Sequence, residues 1–374
     1  MRIAVPMETA PGETRVALTP DAAGKLIKAG HSVAVQEEAG LAASFTDASY
    51  REAGAEVTGS GSLMEGARVV ARVGPPLRRE GGLDEIAELP AGSILIGLLD
   101  PHRNGDILQR LAESGVTALA MELMPRITRA QSMDALSAMS TVTGYKAALL
   151  GADTSVKFFP MMMTAAGTIA PAKVFVLGAG VAGLQAIATA RRLGAKVEAF
   201  DIRPAAREQV ESLGASFVAA EEVKEEAETE GGYAREVSEE ERAREQEVIA
   251  EHVAASDVVI TTALVPGGPA PRLLTRAMVE GMAPGSVVVD MAAPAGGNCE
   301  VTSPGETVVH AGVKIHGPLN LAASLPFHAS QMYARTVVTL LGHLAPEGEA
   351  TLDLEDEITS AICVVHDGQV RFQP

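Results

Sequence analysis

Cysteine is nearly missing. Cys299 and Cys363 are the only two in 374 residues. Two thiols cannot build a disulfide framework or a cysteine-rich metal cluster, and their scarcity fits a reducing cytoplasm. His and Cys do not cluster at metal-ligand spacing, so no metal is expected. Long apolar runs are missing too. The most apolar stretches, such as Phe158 to Ala166, fall well short of a membrane-spanning length. The opening Met1-Arg-Ile-Ala-Val-Pro6 reads as a strand and not as a signal peptide. Positive charge is short: 30 Lys and Arg face 48 Asp and Glu, for a net −18. Such a balance argues against nucleic acid, whose binding needs basic patches. The deficit is uneven. Residues 221–251 carry thirteen acids and four bases, net −9, which reads mostly as a solvated acidic helix. Tyrosine numbers only four, and one of them, Tyr233, stands beside Gly231 and Gly232 inside that acidic run.

What is abundant is glycine in a particular place. Val174-Phe-Val-Leu-Gly-Ala-Gly-Val-Ala-Gly-Leu-Gln-Ala186 is an apolar run broken by Gly178, Gly180 and Gly183, then resumed at helical spacing. That is a strand, a tight turn and a helix start. The first glycine permits the turn. The second lets backbone approach a pyrophosphate. The third lets helix and strand pack closely. The helix N-terminus adds N–H groups and a positive dipole end. A second strand, Lys196-Val-Glu-Ala-Phe-Asp201, ends in an acid eighteen residues after Gly183. An acid there accepts the hydroxyls of an adenosine ribose and repels a 2′-phosphate, so Asp201 favours NAD(H) over NADP(H). Arg203 pulls the other way, but Asp201 sits at the strand end itself.

At this length two domains are expected, each with a full core. Strands are expected at Ile3–Pro6, Ser32–Gln36, Val69–Val73, Ser93–Leu98 and Thr117–Met121, with helices at Pro20–Ala29 after the cap residue Thr19 and at Asp106–Ser114. Gln131, Ser132, Asp134 and Ser137 crowd the start of a helix running from Met133 to about Leu150, where Ser and Asp also commonly act as caps. Residues 151–171 read as a loop. Further strands are expected at Val174–Leu177, Lys196–Phe200, Ser216–Val218, Val258–Thr262, Ser286–Met291 and one near Val308–His316. A long helix follows from Pro326 to about Leu344. Asp367-Gly368 between alternating runs signals a terminal hairpin. The fold class expected is α/β: two doubly wound parallel-sheet, Rossmann-like domains joined by long helices. The divisions are 1–135 with 326–374, a connecting helix and loop over 136–171, and a nucleotide-binding domain over 172–325.

Several stretches together resemble one family. They are Met121-Glu-Leu-Met-Pro-Arg-Ile-Thr-Arg-Ala-Gln-Ser-Met-Asp134, Lys157-Phe-Phe-Pro-Met-Met-Met-Thr-Ala-Ala-Gly167, Gly231-Gly-Tyr-Ala234, Thr261-Thr-Ala-Leu-Val-Pro-Gly267 and Ala295-Gly-Gly-Asn-Cys299. Over essentially its whole length the chain resembles the soluble NAD(H)-binding subunits of proton-translocating NAD(P) transhydrogenases, relatives in fold of alanine dehydrogenase. The resemblance implies that Arg126, Gln131 and Asp134 place the nicotinamide, with Ile127, Thr128 and Ser137 alongside. It implies a mobile loop closing over the nucleotide with Gly232 and Tyr233. It also implies that Asp201, Ile202 and Arg203 hold the adenosine ribose, that Val181 lies against the pyrophosphate, that Leu264 lies near the adenine-side pocket, and that Thr262 is among the cofactor-binding residues.

Against alanine dehydrogenase the chain departs at reactive positions. Arg15 matches a carboxylate-holding Arg and reads here as an ion-pair partner. Gly74 stands where the related enzymes have Lys, Asp100 where they have His, and Pro294 where they have Asp. Proline has no side chain that could carry a proton. Hydride passage between two nicotinamides needs no proton donor, only position and exclusion of water. One dinucleotide fingerprint implies that NADP(H) is bound on a partner. The expected assembly is a homodimer in the cytoplasm, held at the inner membrane by membrane-embedded transhydrogenase subunits. The other readings are an alanine-dehydrogenase-like enzyme and a non-catalytic NAD(H)-sensing module.

Overall fold

The computed structural model describes residues 1–78, 82, 84–219, 239–265 and 267–373. The chain divides into two compact units, Met1–Met139 with Ala322–Pro374, and Ser140–Leu321. The first begins with β1 (Arg2–Val5), α1 (Pro20–Lys28), β2 (Ser32–Gln36), α2 (Asp47–Glu52), β3 (Glu56–Thr58), α3 (Ser60–Leu63), β4 (Val69–Ala71), β5 (Ile94–Gly97), α4 (Gly105–Glu113) and β6 (Thr117–Ala120). Thr19 starts α1 as expected of a cap, its hydroxyl accepting the Ala22 N–H.

Helix α5 (Ala135–Thr154) carries the chain from the first unit into the second. There follow a hairpin of β7 (Met162–Thr164) and β8 (Gly167–Ile169), then β9 (Lys173–Leu177), α6 (Val181–Arg192), β10 (Lys196–Phe200), α7 (Ala206–Ser212), β11 (Ser216–Val218), α8 (Glu239–Ala254), β12 (Val258–Thr261), α9 (Arg276–Glu280), β13 (Val287–Asp290), β14 (Thr307–His310) and β15 (Val313–His316). The chain then completes the first unit with α10 (Pro326–Leu344), α11 (Glu357–Ile362), β16 (Cys363–His366) and β17 (Gln369–Val370).

Each unit is built on one sheet. The first has the order β17-β16-β6-β5-β4-β1-β2-β3, and the second β11-β10-β9-β12-β13-β15-β14. Pairing is parallel throughout both, except where β16 joins β6 and β17 and where β14 joins β15. Central strands such as Val287–Asp290 are buried along their length, because helices cover both faces. In the second unit Val174, Val176, Val258 and Ile260 enter one core, while the alternating Phe175, Leu177 and Val259 enter another.

Four expectations need correction. Residues 151–171 are not one loop: α5 runs on to Thr154, and β7 pairs with β8 across an Ala165-Ala166 turn that carries no Gly, Pro or Asn signal in its middle. The single strand near Val308–His316 is two antiparallel strands, turned at Ala311 and Gly312 with φ of 50° and 81°. An alanine in the left-handed region gives no sequence warning. Helix α5 starts two residues later than expected, after a 3-10 stretch over Thr128–Met133. Finally, α2, β3, α3, α7, α9 and α11 are additions to the expected elements, since segments this short carry little periodicity.

Candidate functional site

The sheet of the second unit changes direction at β9. Its chain neighbour β10 lies on one side and β12 on the other. In such sheets a crevice opens beyond the C-terminal strand ends at that point. The glycine turn lies there, between β9 and α6. Each glycine can be asked why it is glycine. Gly178 has φ of +97°, and an added Cβ would lie 2.5 Å from the Thr262 hydroxyl oxygen. At Gly183 a Cβ would lie 1.9 Å from the Gly178 carbonyl oxygen. The fold itself therefore demands both. Gly180 is different. Its φ is −74°, open to any residue, and among the described residues a Cβ there would meet no atom within 4 Å beyond its chain neighbours. Neither conformation nor packing requires its glycine. It is the N-cap of the twelve-residue α6. The first helical N–H groups after it have no intrahelical acceptor.

Asp201 follows β10 and is buried. One carboxylate oxygen accepts the Ala179 N–H at 2.7 Å. The other accepts the Arg203 backbone N–H and Nε, both at 2.9 Å, and the Arg203 guanidinium reaches back to the first at 2.9 Å. Asp201 thus ties the glycine turn to β10 while Arg203 covers it. Ile202 packs beside the core of this unit. Thr262, past β12, donates its hydroxyl to the Gly178 carbonyl at 3.1 Å. Val181 and Leu264 are exposed apolar side chains on the same elements. The sequence-predicted group Gly178, Gly180, Val181, Gly183, Asp201, Ile202, Arg203, Thr262 and Leu264 is therefore assembled on the turn, the β10 end and the post-β12 loop. One residue that sequence reading missed supports it. A Cβ at Gly144 of α5 would lie 2.0 Å from the Ala182 carbonyl oxygen, so α5 rests directly on the start of α6.

The second predicted group lies on the first unit, after β6. Arg126, Thr128 and Gln131 are exposed, and Ile127 is half-buried. Asp134 accepts the Ser137 backbone N–H at 2.8 Å and the Ser137 hydroxyl at 2.5 Å, so it caps α5. Gly232 and Tyr233 lie outside the described residues. Just before this loop, Glu122 is pushed up to about 7 by burial, although it accepts the Asp100 N–H. Its other oxygen, Oε2, is buried with no hydrogen-bond partner among the described residues.

The positions that depart from alanine dehydrogenase are also explained locally. Arg15 is buried and gripped by Glu13, with Nε at 2.8 Å from Oε1 and a guanidinium nitrogen at 2.6 Å from Oε2. Its charge is answered from inside the chain. The Gly74 N–H faces Glu8 at 3.4 Å, and Asp100 pairs with Arg103 at 3.4 Å. Pro294 sits in a short 3-10 turn after β13.

These features define a doubly wound α/β protein with a phosphate-type glycine turn at its topological switch point. The chain belongs to the alanine dehydrogenase/PNT family. The model described as alanine dehydrogenase/PNT, N-terminal domain, matches residues 4–143, and the C-terminal domain model matches residues 147–373. The chain is 46% identical over 374 residues to an NAD(P) transhydrogenase subunit alpha polypeptide of Rhodospirillum rubrum, covering 99% of this chain and 97% of that one. It is 31% identical to an alanine dehydrogenase of Halomonas elongata, covering 100% and 95%. The crystal structure of transhydrogenase from Sinorhizobium meliloti superimposes with a TM-score of 0.88 at 44% identity, over 99% of this chain and 100% of that one. Among the described residues no helix is long and apolar enough to cross a membrane.

Proposed function

We propose that this chain is the NAD(H)-binding subunit of a proton-translocating NAD(P) transhydrogenase, and that it passes hydride between NADH and NADP+ held on a partner. The observation that carries the nucleotide reading is Gly180, a glycine that the fold does not need, at the N-terminus of α6 and beside an acid-terminated strand. The space left by its missing Cβ suits a pyrophosphate approaching the backbone. Asp201 and Ile202 would meet the adenosine ribose, with Arg203 swinging off Asp201 as the hydroxyls arrive. Val181, Thr262 and Leu264 would line the nucleotide. The nucleotide-binding domain is then residues 172–325.

Hydride donation is the chemistry of the nicotinamide. The work left to the protein is position. Arg126 and Gln131, with Ile127 and Thr128 beside them, would orient the nicotinamide carboxamide. Asp134, braced by Ser137, would fix the loop that carries them. Gly232 and Tyr233 would close over the nucleotide and exclude water. The internal pairing of Arg15 with Glu13, and Pro294 in place of an acid, speak against amino-acid oxidation by this chain. NADP(H) would sit on a separate domain, and membrane-embedded subunits would couple transfer to proton flow and hold the chain at the inner membrane from the cytoplasmic side. A homodimer is proposed from the uncharged, exposed stretch around β7 and β8.

Calorimetric titration of the purified chain with NADH and NADPH tests the cofactor assignment. NADH is expected to bind and NADPH to bind far more weakly. Equal or tighter NADPH binding would overturn it. Oxidation of NADH by pyruvate plus ammonia would instead establish the dehydrogenase reading.

A further inference from the structure

The loop after β12 turns two apolar side chains outward. Leu264 is 54% exposed and Val265 52%. One buried side chain grips the residue before them. The Asn298 carboxamide oxygen accepts the Ala263 N–H at 3.0 Å. Its nitrogen donates to the Ala263 carbonyl and to the Pro271 carbonyl, both at 2.8 Å. Every hydrogen-bonding direction needed to hold Ala263 comes from this amide. The Asn298 carbonyl in turn accepts the N–H groups of Leu273 and Leu274 at 2.8 and 3.0 Å.

Asn298 is itself held from both sides. Asp290, fully buried at the end of β13, accepts from the Thr261 hydroxyl at 2.9 Å, the Ala292 N–H at 3.0 Å, the Cys299 N–H at 3.0 Å and the Thr302 hydroxyl at 2.6 Å. Gly297 has φ of +89°, and a Cβ there would lie 2.6 Å from the Asp290 carboxylate. Strand β12 is already paired on both sides, by β9 and β13. The network reaches past the strand to a loop that touches the glycine turn through Thr262.

We propose that Asn298 is a positioning residue for the dinucleotide, acting through Ala263 to hold Leu264 and Val265 as an apolar wall against it. This rests on the NAD(H) reading of the Gly178–Asp201 crevice. Only an amide fits the role. It offers an acceptor to one N–H and donors to two carbonyls. A carboxylate of the same shape would face both carbonyl oxygens with no proton to give. Protonated, it would regain one donor.

The test compares Asn298→Asp and Asn298→Ser with the unsubstituted chain, by calorimetric titration with NADH over a pH series and by thermal unfolding. Loss of these bonds is expected to weaken NADH about tenfold at neutral pH in both variants. On acidification Asn298→Asp is expected to regain affinity relative to the unsubstituted chain, and Asn298→Ser is not. If Asn298→Asp does not fold, the Ser variant decides alone through its NADH affinity. Variants that melt earlier yet bind NADH with unchanged affinity would overturn the proposal and leave Asn298 as a core hydrogen-bonding group. If the unsubstituted chain fails to bind NADH, the dinucleotide reading falls and this inference falls with it.

Discussion

Gly178, Gly180 and Gly183 lie within six residues but under different constraints. Gly178 and Gly183 are fixed by backbone conformation and close packing, and Gly180 by neither. Gly183→Ala forces a methyl against a backbone oxygen that cannot step aside. It is expected to destabilise the second unit by about 1–3 kcal/mol, read by chemical denaturation. Gly180→Ala should leave stability within about 0.5 kcal/mol, because its Cβ meets nothing. Its NADH affinity should nevertheless fall sharply. Unchanged NADH binding in Gly180→Ala would remove the pyrophosphate from this turn. Asp201 is not a free acceptor. Its oxygens are already engaged by Ala179 and Arg203, so the proposed ribose would compete with Arg203 rather than meet a bare carboxylate.

At the scale of elements, the parallel strands and the glycine turn are legible in the sequence because their signals are local. Runs such as Val258-Val-Ile and Val287-Val-Val declare a strand buried on both faces. The β7–β8 hairpin is not legible, since Met161-Met-Met163 has no period and Ala165-Ala166 no turn chemistry. Capping of α5 by Asp134 stands among the readings of its sequence and is what the side chain does here. The Asp290–Asn298 network is invisible in the sequence, because its partners lie up to thirty-five residues apart and meet only when β12 and β13 pair. Glu122, in the 3-10 turn after β6, is equally silent. Burial raises it from an ordinary carboxyl value to about 7. A raised folded-state value stabilises the protonated form. That contribution is full below the unfolded value and is lost as pH rises through about 7. The Glu122 contribution to the first unit is therefore expected to fall across this window, against a rise from His31, whose value burial lowers. Glu122→Gln, uncharged throughout, should flatten the fall. Denaturation midpoints at a series of pH values check this, and an equally steep decline in the variant would contradict it. Glu8, also raised by burial, adds to the decline in the same direction and remains in the variant.

The whole molecule is acidic, with a net charge of −18, so two copies repel except across neutral surface. From Phe158 to Ala172 there is no charged residue, and 160–170 are exposed throughout. Met161, Met162, Met163 and Ile169 present their side chains there. A two-stranded hairpin is marginal alone in water, and this exposed apolar patch is the surface on which the proposed dimer would rest. Met163→Asp is expected to convert a dimer to a monomer in sedimentation velocity while NADH binding persists; a dimer of unchanged affinity would place the interface elsewhere. Direct hydride transfer to NADP+ can be followed by isotope. NADH deuterated at C4 on the transferred face would be mixed with this chain, an NADP(H)-binding transhydrogenase domain and NADP+, and the nucleotides analysed by mass spectrometry. Deuterium on the NADPH formed, only when both proteins are present, is the predicted result. NADPH formed without deuterium, or no NADPH at all although both nucleotides are bound, would contradict direct transfer.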